Sequence, residues 1–94
     1  YSDVASDVAF LAMDLDFKER PDLSNLLVER YIEYSGDQEL TRLLPFYKCY
    51  RAFVRGKVIS FKLNDPNFSD DEKIASGREA KAYFRLASAY ARNL

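Results

Sequence analysis

Lys57 stands in the middle of an apolar arc. At about 100° per residue it shares one helical face with Phe46, Tyr50, Phe53, Val54 and Phe61. An ammonium buried there without a partner is too costly to stay charged. It must snorkel to water, meet a carboxylate, or face a site completed by another part of the protein. A second arc holds Lys48, Arg51, Arg55 and Lys62, all within roughly 60° of one another. Such a stripe suits phosphates or an acidic partner. It is equally the pattern of a solvated face, or of a counterpart to the stripe of Asp3, Asp7 and Asp14. The Asp3 and Asp7 carboxylates, one turn apart, form the kind of pair that Mg²⁺ uses beside a phosphate. Acids in a first helical turn also simply complement the helix dipole.

A third arc of the same segment carries Cys49, Ala52, Gly56 and Ser60. Glycine within a helix costs about 1 kcal/mol relative to alanine, so Gly56 predicts close approach of another backbone. Cys49 in this stripe reads as a small buried hydrophobe rather than a reactive thiol. The chain has no histidine and one cysteine, which leaves a nucleophile without its usual base and zinc without ligands. Neither a phosphate-cradling P-loop nor a dinucleotide-binding glycine pattern occurs, and no catalytic or metal residue is assigned.

The elements that must position these residues are helices. Three glycines and three prolines in 94 residues are too few to punctuate a many-stranded domain. A first helix runs from Ser2 or Asp3 to Lys18, with Val4, Val8, Leu11 and Leu15 on one stripe and Ala5, Ala9 and Ala12 beside it. Pro21 opens a second helix on Leu23, Leu26, Leu27, Tyr31 and Tyr34, and Gly36 supplies its left-handed end. Asp37 caps a short turn from Gln38 to Leu44, and Pro45 either kinks a long third helix or separates it from that turn. The third helix stops near Leu63, before Asn64-Asp65-Pro66-Asn67. Ser69 and Glu72 form a capping box for the fourth, which buries Ala80, Tyr83, Phe84, Ala87 and Ala91. The fold class is all-α: four main helices in two antiparallel hairpins, one helical domain or subdomain over residues 1–94.

Apolar residues make up 48% and charged residues 31%, a globular balance, and the formal charge of −1 argues against nucleic-acid and membrane-surface partners. The lone cysteine excludes a disulfide framework and fits a reducing cytoplasm. The chain opens at Tyr1 and is in helical register by residue 4, so it reads as a fragment of a longer protein.

Asp3 through Asp16 resembles the helix that follows the metal-binding Asp of aminoglycoside phosphotransferase-like kinases. The resemblance is strongest to the bacterial branch in which that domain is fused to a P-loop ATPase domain. Leu43 through Val58 is similar to the long helix of the C-terminal lobe in this branch, and Tyr83 to Ala87 to the start of its closing segment. The resemblance implies a helical subdomain from the C-terminal lobe of a larger ATP- and Mg²⁺-dependent phosphotransferase. Its catalytic Asp and Asn and its metal-binding Asp would lie before Tyr1, with the upstream lobe and a fused P-loop domain as partners.

On this reading the 94 residues are themselves inactive and hold no cofactor. Asp3 and Asp7 brace the active site from below, while Lys57, Arg51 and Arg55 face the substrate or the lobe. The basic stripe suits an anionic or neutral acceptor. The alternative is a free-standing helical interaction module that binds a partner helix through Tyr31, Tyr34, Tyr47, Tyr50, Tyr83 and Tyr90. Cut from its lobe, the chain would expose apolar surface and homodimerise.

Overall fold

A computed structural model describes residues 3–92; the side chain of Asp3 and the Ser2 cap lie outside the described residues. These residues form α1 (Asp3–Phe17), α2 (Pro21–Ser35), α3 (Glu39–Ser60), a 3₁₀ turn (Phe61–Asn64) and α4 (Asp70–Ala91), with no strand among them. The chain is all-α, as the helix signals predict. Gly36 ends α2 at φ 73°, Asp37 Oδ1 accepts the Leu40 N–H at 3.3 Å, and Ser69 Oγ accepts that of Glu72 at 3.2 Å. Each cap satisfies a donor or carbonyl that a helix end leaves open. α3 runs unbroken through Pro45. The carbonyl that Pro45 leaves unbonded belongs to exposed Thr41.

The helices pack as two hairpins. Cys49 of α3 meets Ala87 of α4, Gly56 meets Phe84, and Leu63 of the 3₁₀ turn meets Gly77, so α3 and α4 run antiparallel. α1 bridges the pairs. Its Ala5 and Ala9 join Leu40 in one core cluster, and its Met13 joins Ala52, Ile59, Ala80, Tyr83 and Ala87 in the other. The molecule measures 48 × 24 × 22 Å. It exposes 6460 Å², where a compact monomer of 10.9 kDa exposes roughly 5,600 Å².

Small residues, not large ones, decide which faces turn inward. On α1 the fully buried positions are Ala5, Ala9, Ala12 and Met13, while Val4 and Leu11 remain 59% and 51% exposed. Of the Val/Leu stripe, Val8 packs on the Ala5–Ala9–Leu40 cluster and Val4 and Leu11 face out, so the core face centres on the alanines, which let α2 and α3 approach α1 more closely. On α2 the buried residues are Ser24 and Val28, and Tyr34 is 95% exposed. On α3 the small-residue arc faces α4 and the aromatic arc faces out. A Cβ on Gly56 would sit 2.8 Å from the Phe84 ring. The close neighbour there is that side chain, not the backbone predicted. On α4, Ala80, Tyr83 and Ala87 are buried as the pattern predicts, whereas Phe84 and Ala91 reach solvent.

Candidate functional site

The buried lysine is Lys48, not Lys57. Lys48 Nζ donates to Asp16 Oδ2 at 2.8 Å and to Ser24 Oγ at 3.2 Å. The Tyr90 hydroxyl donates to the same carboxylate oxygen, and the Lys48 ammonium lies 5.5 Å from the Tyr90 ring centroid. Only 10% of the Lys48 side chain and 14% of Asp16 are exposed. Asp16, Ser24, Lys48 and Tyr90 belong to α1, α2, α3 and α4 in turn, so one polar node ties all four helices together. Burial, reinforced by the bond to Asp16, pushes the Tyr90 hydroxyl above its ordinary range and keeps it protonated. A lysine committed to two acceptors and a phenol that holds its proton are structural partners rather than an acid–base pair.

The sequence-predicted site residues do not converge. Lys57 is exposed on the outward face of α3. Arg51 and Arg55 lie more than about 100° around that helix, at ~100° per residue. Arg51 stacks on Phe10 of α1, its Cζ 5.0 Å from the ring centroid, and Arg55 on Tyr83 of α4 at 5.7 Å. The Arg51 Nε is buried without an acceptor. Among the described residues the ion pairs are Arg20–Asp22, Arg30–Glu33, Arg42–Glu39 and Lys48–Asp16. The basic arc thus meets α1 through one ring, Phe10, and one ion pair, Lys48–Asp16, while Arg55 and Lys62 lie over Tyr83 and Phe68. Asp7 is exposed, and the Asp3 side chain lies outside the described residues. No group of three metal-ligating side chains gathers among the described residues.

The six tyrosines form no common face either. Tyr83 is buried and stacks on Phe17 at 3.8 Å, Tyr31 and Tyr47 pack on the α1 alanines, and Tyr90 belongs to the node. What the structure does build is an open groove of about 520 Å³ between α3 and α4. Phe46, Tyr50 and Phe53 line one side, and Phe84, Ala87 and Ala91 the other. The α3 aromatics are 55%, 56% and 52% exposed, and the Phe53 and Phe84 rings lie 5.8 Å apart. Lys57 sits one turn beyond Phe53 on the same side of α3. It is an ordinary solvated cation; the anomaly is the exposed aromatics beside it. An aromatic arc next to a small-residue arc carries this signal in the sequence, since helix–helix contact favours the small side.

Comparison with known proteins finds relatives described as uncharacterized proteins in Mycobacterium bovis and in two strains of Mycobacterium tuberculosis. Each is 42% identical over 73 residues, which cover 76% of this chain and 15% of the relative. The chain therefore spans about 15% of the length of the curated relatives it matches. No family model matches the chain, and no solved structure does. No helix among the described residues is long and apolar enough to cross a membrane.

Proposed function

We propose that this chain is a non-catalytic helical subdomain of a larger, cytoplasmic, aminoglycoside phosphotransferase-like protein, where it forms part of the substrate-side wall. The outward face of α1 carries the reading: Val4 and Leu11 are exposed with Asp7 between them, on the helix that resembles the post-catalytic helix of those kinases. An apolar stripe interrupted by one acid suits packing against a further protein element better than it suits water. The length of the mycobacterial relatives supports a larger parent. Arg51, stacked on Phe10 beside this face, and Arg55 one turn on are the cations assigned to the substrate side, which favours an anionic or neutral acceptor. Asp7 stands exposed, and no metal is assigned to these residues. ATP and Mg²⁺ belong to the remainder of the parent, with its upstream lobe and fused P-loop domain.

The test is transfer of phosphate from ATP·Mg²⁺ to a panel of hydroxyl acceptors, by the parent and by the 94 residues alone. Transfer by the parent only is the expected result. Transfer by the 94 residues would overturn the reading, as would a parent reading frame with no catalytic Asp–Asn loop ahead of this unit. The second reading, an interaction module, is favoured by the open aromatic groove. A parent without phosphotransferase residues would leave that one standing.

A further inference from the structure

The outward face of α3 carries a regular seam. Glu39, Leu43, Phe46, Tyr50, Phe53 and Lys57 succeed one another at steps of 4, 3, 4, 3 and 4 residues. This is the spacing with which one helix meets another in a coiled-coil-like contact. The seam turns its rings outward from α3 and meets α4 along one edge, where the Phe53 ring lies 5.8 Å from that of Phe84. Leu43 is half-buried, Phe46, Tyr50 and Phe53 are about half exposed, and Glu39 and Lys57 are exposed at its two ends.

The seam is its own complement. Laid antiparallel on a second α3 about a two-fold axis level with residue 48, Phe46 faces Tyr50, Leu43 faces Phe53 and Glu39 faces Lys57, each pair occurring twice. The charges match only in the antiparallel sense, since a parallel pair would set Lys57 on Lys57 and Glu39 on Glu39. Glu39 is held at present by Arg42, three residues away at 3.1 Å. Both side chains are more than half exposed, so exchanging that partner costs little. Beside the seam, Ala87 and Ala91 of α4 leave room for the partner's side chains in the groove.

The area is adequate. An aromatic side chain presents about 150–250 Å², so the three half-exposed rings of the seam and the adjacent Phe84 ring, with Leu43 and the Lys57 stem, cover on the order of 500 Å² per copy. Two copies then bury about 1,000 Å², the lower bound of a specific interface. The surface this chain exposes beyond that of a compact monomer is large enough to supply it.

We propose that the α3–α4 face is the interface of a symmetric homodimer, in which two α3 helices cross antiparallel and Lys57 pairs with Glu39 of the second copy. This goes beyond the function proposed above and uses a different face from the α1 stripe, so either can fail alone.

The test is sedimentation of the 94-residue protein across a concentration series. Wild type dimerises in the micromolar range. Lys57→Glu and Glu39→Lys each weaken the dimer roughly tenfold, since two exposed pairs become repulsive. Both positions are on the surface, so both variants keep the wild-type far-ultraviolet circular dichroism. An equimolar mixture of the two restores wild-type affinity as a heterodimer, because every Glu then faces a Lys. Phe53→Asp abolishes association. A wild type monomeric at about 100 µM would overturn the proposal. So would a dimer indifferent to Lys57→Glu, or a mixture that forms no preferred heterodimer.

Discussion

Removing Asp16 alone from the four-helix node should cost far more than removing the charge pair together. In Asp16→Asn the carboxylate is replaced by an amide of the same shape, and Lys48 keeps only Ser24 Oγ, at 3.2 Å, as an undiminished acceptor. A lysine side chain only 10% exposed then holds an uncompensated charge, a situation that costs about 3–5 kcal/mol. In Lys48→Met the carboxylate keeps the Tyr90 hydroxyl and slight solvent access, so the loss falls to about 2 kcal/mol. The double variant leaves no buried charge, and an isosteric apolar stem replaces the lysine. Its loss should be about 1–2 kcal/mol, less than that of Asp16→Asn alone. The double-mutant cycle therefore gives a coupling of about 3–6 kcal/mol, at or above the top of the range for contacting residues.

Urea unfolding measured by circular dichroism covers all four corners. A stability of about 5–14 kcal/mol goes with this length; near its low end the worst single variant retains little of it and is read from its folded fraction without urea. The largest fully buried side chains are Met13, Leu40 and Ser24, so a value near the low end is expected. Strictly additive losses would refute the reasoning: Lys48 and Asp16 would then be two independently solvated groups.

Two further outcomes rest on the same structure. The folded protein holds the Tyr90 proton above the ordinary value of 10.0, so the unfolded chain releases that proton first as pH rises. The stability Tyr90 contributes is complete below about pH 10 and is lost as pH climbs toward the folded value; Tyr90→Phe should flatten the alkaline fall of the urea midpoint, and an unchanged slope would count against it. In Gly56→Ala the new Cβ displaces the partly exposed Phe84 ring, while the helix gains about 1 kcal/mol. The net change in thermal stability should stay within about 1 kcal/mol, and a loss near 3 kcal/mol would mean that the ring cannot swing aside.

Helix ends were legible in the residues, and helix orientation was not. Gly36, Asp37 and Ser69 act through their own backbone geometry and hydrogen bonds, which a single sequence position determines. Which face of a helix turns inward depends on the competition between burying large side chains and bringing two backbones close. Periodicity measures only the first. On α1 the alanine face prevailed over Val4 and Leu11, and on α3 the arc of Cys49, Ala52 and Gly56 prevailed over Phe46, Tyr50 and Phe53. Lys48 was carried inward as a consequence, since it borders the small-residue arc, and Asp16 then had to be its partner rather than Asp7 or Asp14. Lys57 was carried outward by the same rotation. The arc around Lys57 faces out of the helix pair, where the lysine reaches water. Its half-exposed aromatics are the strongest reason to look for a second protein surface at this face.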